Sequence, residues 1–210
     1  MNLLKSLFTA VMLLATTLCF GQSNKEPNLH AVGRNLSVHQ ENGVTTIRLD
    51  EQNDDGKAWL VGRKFTNGTI EFDIKGKDTL QHSFVGFAFH GVNDSTYDCI
   101  YFRPFNFRAT DPVRHSHAVQ YVSPPKYDWE ILRNQFPNKY EQPLPVPPDP
   151  NGWFHAKIVV NGKHISVFVN NDPKPVLEVE QIVPLKGEML GYWVGNTSGG
   201  WWKNLKITNK

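Results

Sequence analysis

Apolar and polar side chains alternate along this chain in short runs, with the period of a β-strand and not of a helix. In residues 69–75, Ile70, Phe72 and Ile74 point one way and Thr69, Glu71, Asp73 and Lys75 the other. Residues 83–90 are apolar on both faces. Residues 97–103 put Asp98, Ile100 and Phe102 on one side and Tyr97, Cys99, Tyr101 and Arg103 on the other. Earlier runs lie at 44–49, after the turn residues Glu41-Asn42-Gly43, and at 58–61. Residues 153–160 and 164–169 flank Asn161-Gly162, a pair that suits a type I′ hairpin turn. Shorter runs follow at 176–179, 187–194 and 201–208, the last placing Trp201, Leu205 and Ile207 on one face. No amphipathic helix exceeds two turns. Many short strands with turn residues between them predict an all-β sandwich of two antiparallel sheets.

Residues 104–152 break this rhythm. They are long for a connection in a compact domain. They offer one strand at 118–122 and a helical turn at 129–133, and end in the extended run Pro143-Leu-Pro-Val-Pro-Pro-Asp-Pro150. The segment carries Phe105, Phe107, Tyr121, Tyr127, Trp129, Phe136 and Tyr140. So aromatic a stretch packs on the domain or meets a ligand, and ordered insertions on rigid β scaffolds are where binding resides. The expectation is that it walls a concave sheet containing residues 83–90 and 97–103.

The 210 residues carry 22 basic and 20 acidic side chains, a net charge of +2. That balance gives no global footprint for nucleic acid, and 12% aromatic content argues against disorder. Residues 1–22 have a basic start at Lys5 and an apolar run at 7–20, too short to span a bilayer, and predict a signal peptide. Residues 23–210 would then be one exported domain, periplasmic or extracellular in a bacterium, without a membrane attachment after cleavage. Removal of Cys19 leaves Cys99 alone, so no internal disulfide forms, and its apolar run predicts a buried, inert thiol.

Gly68-Thr-Ile-Glu-Phe-Asp-Ile-Lys75, Phe84-Val-Gly-Phe-Ala-Phe-His90, Trp153-Phe-His-Ala-Lys-Ile-Val-Val-Asn-Gly162 with Ile165-Ser-Val-Phe-Val-Asn170, and Gly191-Tyr-Trp-Val-Gly195 before Trp201-Trp-Lys-Asn-Leu-Lys-Ile207 carry a resemblance. They resemble the strand series of the concanavalin A-like lectin/glucanase superfamily. Within it the chain is similar to laminin-G-like domains and to secreted bacterial 3-keto-disaccharide hydrolase domains. The resemblance implies a jelly roll of two antiparallel sheets, here with a long ordered insertion, and a carbohydrate ligand. It leaves two functions open, glycan binding and glycoside hydrolysis, because one fold hosts both.

Four groups carry candidate chemistry. Glu71 and Asp73 share a strand face, as paired carboxylates of a retaining glycosidase could. The glucanase pattern Glu-x-Asp-x-x-Glu has Gly76 in its third acidic place, and a solvated outer face explains the pair as well. Tyr101, Arg103, Asn106 and Arg108 could stack on a sugar and hydrogen-bond its hydroxyls; alternatively Arg103 pairs with Asp98, Asp111 or Glu141 to fasten the insertion. His115, His117, Gln120 and Tyr121 offer polar readers, with His90 at the end of the neighbouring strand. Two imidazoles at that spacing would need a third metal ligand, which only His82 or His90 could supply in space. Trp129 and Arg133, with Tyr127 and Glu130, suit a sugar-stacking platform or a pin for the loop. Trp59, Trp153 and Trp201 read as core. The Asn53-Asp54-Asp55 oxygens could hold a structural calcium and equally form a hydrophilic turn; no cofactor is expected.

Overall fold

The structure, a computed structural model, describes residues 28–184 and 186–210. The expected signal peptide and Cys19 lie outside the described residues. The described chain forms two seven-stranded antiparallel sheets. Its strands are β1 (Leu29–Val32), β2 (Leu36–Glu41), β3 (Val44–Leu49), β4 (Gly56–Leu60), β5 (Gly68–Lys75), β6 (Val85–Asn93) and β7 (Thr96–Phe102). They continue with β8 (Val119–Val122), β9 (Glu141–Gln142), β10 (Phe154–Asn161), β11 (His164–Val169), β12 (Leu177–Glu180), β13 (Met189–Val194) and β14 (Gly200–Asn209). The first sheet has the order β1-β4-β13-β6-β7-β8-β9, and the second β12-β11-β10-β5-β14-β3-β2. No helix among the described residues is long and apolar enough to cross a membrane.

The alternation in the sequence sets which faces meet. Phe72 of β5 stacks on Phe87 of β6 across the sandwich at 5.0 Å, and Phe102 of β7 meets Phe154 of β10 edge-on at 5.0 Å. Ile70, Ile74, Ile100 and Ile158 have no exposed surface. Each large side chain so buried contributes about 1.5–3 kcal/mol. With no disulfide among the described residues, that core carries the fold; Cys99 is buried and free, and burial pushes its thiol well up.

One polar cluster joins the layers from inside. The buried carboxylate of Asp98 accepts from Tyr121 Oη at 2.7 Å and Gln181 Nε2 at 2.7 Å, and lies 2.8 Å from His90 Nδ1. His90 Nε2 faces the Thr66 carbonyl at 2.8 Å. His90, expected at a binding cleft, therefore sits in the interior beside Phe65 and Phe89.

Two local expectations need correction. The β10–β11 hairpin pairs Asn161 with His164, so its loop is Gly162-Lys163, with Gly162 alone at positive φ (+62°). The I′ geometry, with two residues at positive φ, occurs at Asn42-Gly43 (+50° and +76°). In β14 a bulge slips the pairing with β5 between Lys203 and Lys206. One extra residue reverses the faces, so Trp201 points outward while Ile207, beyond the bulge, pairs with Ile70. Trp153 is 37% exposed and Trp201 half-buried; Trp59, Trp193 and Trp202 are the buried indoles. At the Asn53-Asp54-Asp55 turn, the Asn53 and Asp54 carbonyls accept from the Arg34 guanidinium at 3.2 and 2.6 Å.

Candidate functional site

Cross-strand register builds the floor of the site. Lys57 of β4 lies opposite Trp193 of β13, Trp193 opposite Gly86 of β6, and Gly86 opposite Tyr101 of β7. Tyr101 in turn faces Gln120 of β8, and Gln120 faces Glu141 of β9. Directly opposed residues share a face, so one row crosses the outer side of the first sheet from a lysine to a glutamate. Gly86 is the low point of the row. A Cβ there would lie 2.2 Å from the Ile100 carbonyl oxygen and 2.6 Å from Tyr101 Cβ. Over it the Trp193 and Tyr101 rings approach to 5.0 Å.

Loops raise walls around this floor and enclose a cleft of about 710 Å³. One wall is the insertion. Phe105 and Asn106 come from the short turn Pro104–Asn106, Arg114 from helix α1 (Pro112–His115), and Trp129 and Arg133 from helix α2 (Trp129–Gln135). His117 follows α1 on the same wall. Side-chain caps start both helices: Asp111 accepts from the Arg114 amide at 2.7 Å, and Asp128 from the Ile131 amide at 3.0 Å. The opposite wall is residues 195–197. Residues 105, 106, 113, 114, 117, 122, 124, 128, 129 and 133 of the cleft lining all come from the insertion.

At the insertion end the chemistry concentrates on Glu141, which is only 3% exposed. Arg133 grips it through Nε and Nη2, both at 2.7 Å. His117 Nδ1 lies 2.9 Å and Arg103 Nη1 3.7 Å from Glu141 Oε2. Arg103 also donates to Tyr101 Oη at 2.5 Å, to the His117 carbonyl at 3.2 Å and to Gln120 Oε1. Asn106 Nδ2 donates to the same His117 carbonyl at 3.1 Å. The backbone of His117 is thus held from two sides. Burial is the main cause that lowers its pKa, helped by the charges of Arg133 and Arg103 and opposed by Glu141. Its Nε2 makes no hydrogen bond among the described residues. A neutral imidazole on a cleft wall, with a carboxylate beside its other nitrogen, can take a proton from a ligand.

The residues singled out in the sequence divide clearly. Tyr101, Arg103, Asn106, His117, Trp129 and Arg133 line the cleft. Gln120 lies beneath it, bonded to Tyr101 Oη at 2.9 Å. Tyr121 turns to the interior with His90, Arg108 is exposed, and His115, half-buried, is not on the cleft wall. Among the described residues no three His, Cys, Asp or Glu are grouped to hold a metal. Glu71 and Asp73 lie on the outer face of the second sheet beside His155, across the sandwich, and Glu130 is exposed outside the cleft. None of the three carboxylates named from the sequence reaches the floor. Glu141 lies beneath the floor beside Gln120, and it enters the sequence reading only as a counter-ion for Arg103. Its trace in the sequence is a lone acid after Tyr140, before the proline run. Trp193 and Tyr97 were also missed as cleft residues. They are joined by a 3.1 Å bond from the indole to Tyr97 Oη.

The model of the 3-keto-alpha-glucoside-1,2-lyase-like domain matches residues 21–208. No curated protein matches. Among solved structures, the carbohydrate-binding module CBM66 of Bacillus subtilis is similar at 13% identity and TM-score 0.55, over 85% of this chain and 95% of that one. A glycoside hydrolase family 16 endo-glucanase of Bacteroides ovatus is similar at 11% identity and TM-score 0.53, over 82% and 85%. The exoplasmic/lumenal domain of VIP36, bound to Ca2+ and Man3GlcNAc, is similar at 10% identity and TM-score 0.52, over 82% of each chain. These likenesses show the jelly-roll fold shared by lectins and glucanases.

Proposed function

The chain belongs to the 3-keto-alpha-glucoside-1,2-lyase-like domain family, and from that premise we propose that its cleft binds a 3-keto-glucoside and eliminates the group on C1. The observation that carries the proposal is His117, on the cleft wall with the buried carboxylate of Glu141 2.9 Å from its Nδ1. A ketone at C3 acidifies the hydrogen on C2. His117 Nε2 takes that proton, the electron pair forms the C1–C2 double bond, and the C1–O bond breaks. The departing alkoxide is protonated by the imidazolium or by water, so the products are an unsaturated keto-sugar and an alcohol. Arg114, on the same wall, offers positive charge to the enolate oxygen. Trp193, Tyr101 and Trp129 supply ring faces for the sugar. The leader-like residues 1–22 support export of this activity.

The test is incubation with a 3-keto-α-glucoside, followed by NMR for loss of the C2 proton and by ultraviolet absorbance for the conjugated enone. His117→Ala should lower turnover by about 10²–10⁴-fold, the usual worth of a general base, while calorimetry shows affinity kept within a few-fold. Binding without turnover in the unaltered protein would overturn the lyase and leave a glycan-binding module. The exposed Trp129 ring, 45% accessible at the cleft mouth, favours that second reading.

A further inference from the structure

The outer face of the second sheet, on the far side from the cleft, carries a different arrangement. In β3, β14 and β5, Arg48 lies opposite Trp201 and Trp201 opposite Lys75. β10 extends the row, since Phe154 pairs with Ile74 and Trp153 precedes it. Cation and indole therefore alternate across four adjacent strands. The Lys75 ammonium lies 5.4 Å from the Trp201 ring and 5.9 Å from that of Trp153. Lys203 lies 4.4 Å from Trp153, and Lys77 and Arg48 each 5.5 Å from Trp201.

Four cations surround two partly exposed indoles, and the neighbouring acids engage only two of them. Glu51 pairs with Arg48 at 3.4 Å and with Lys77. Asp73, opposite Lys203, turns to His155 Nδ1 at 2.9 Å and Asn204 Nδ2 at 2.7 Å. Lys75 and Lys203, at the middle of the strip, make no ion pair among the described residues. The two indoles sit two strands apart, about 10 Å given the spacing of neighbouring strands.

We propose that this strip binds an anionic polysaccharide of uronate type. Sugar rings rest on Trp153 and Trp201, and carboxylates of the intervening residues meet Lys75 and Lys203. Charge complementarity selects the acid, because Lys75 and Lys203 beside the indoles have no ion-pair partner among the described residues. The indole pair selects a chain of rings over a structureless anion. A flat anionic bilayer would instead press Glu71 and Asp73 of the next rows against its headgroups. The site is independent of the cleft and of its chemistry.

Affinity electrophoresis of the whole protein tests it, with polygalacturonate in the gel and neutral amylose in a parallel gel. The expected result is retardation by polygalacturonate that weakens as salt rises, with no retardation by amylose. The Lys75→Ala/Lys203→Ala double variant should lose affinity at least tenfold, and Trp153→Ala should also weaken it. His117→Ala, altered only in the cleft, should run as the parent does. No retardation, equal retardation by amylose, or a double variant that is folded by circular dichroism and retarded like the parent would overturn the proposal. So would equal or tighter binding to phosphatidylglycerol vesicles.

Discussion

Glu141 gathers, on one buried carboxylate, the bidentate Arg133, the nearby Arg103 and the imidazole of His117. Its position beside Nδ1 favours a proton there and leaves Nε2 as the basic atom. Burial holds the His117 pKa below that of an ordinary imidazole. Protonation removes the base, so turnover should rise with pH through that lowered value and be flat at neutrality. In Glu141→Gln the carboxylate no longer favours the imidazolium. The acid limb should then move to lower pH, and the plateau should fall by more than about 10-fold as the ring loses its orientation. The kcat–pH profile measures both. A plateau that falls with an unmoved limb would assign Glu141 to structure alone.

At the scale of elements, β14 shows how one residue redirects a strand. Asn204 sits at φ +55°, and its side chain donates to Asp73 at 2.7 Å. Asn tolerates the left-handed region, where a β-branched residue is strained. Asn204→Val should therefore cost about 1–3 kcal/mol in urea unfolding, where the left-handed conformation alone accounts for roughly 1–2. Asn204→Gly, which keeps the conformation and loses only the bond, should cost about 1 kcal/mol or less. Most strands were legible because alternation sets their faces and Gly or Asn marks their turns. The bulge was not, since Lys203-Asn204-Leu205 reads as a continuous strand, and Trp201 was assigned to the wrong face for that reason. The insertion was legible as an ordered, packed segment from its length and its aromatic rings, of which Phe105, Phe107, Tyr121 and Tyr140 are buried. Glu141 was not legible as its chemical centre. The residues it joins stand between 8 and 38 positions away, and only the β8–β9 register brings it beneath the cleft beside Gln120.

Across the whole molecule, the first sheet carries a buried carboxylate on each face. Glu141 is on the outer face with the cleft, and Asp98 is on the inner face with the core. Asp98 joins Tyr121 of β8, His90 of β6 and Gln181 beyond β12, so it ties the first sheet to a segment that leaves the second. Replacing it with alanine would leave the buried Tyr121 and His90 and the partly buried Gln181 without their common partner. Asp98→Ala should therefore cost about 3–5 kcal/mol, as breaking a buried charge network does. At about 2–4 °C per kcal/mol for a domain of this size, the melting temperature should fall by roughly 6–20 °C. Its side chain faces away from the cleft, so turnover and affinity below the melting transition should stay within a few-fold of the parent. Glu141→Gln should show the converse, a larger loss of turnover than of melting temperature. Parallel calorimetry and kinetics on the two variants separate the roles. If both lose stability and activity in proportion, the two faces of the sheet are one cooperative unit, and Glu141 has no role beyond packing.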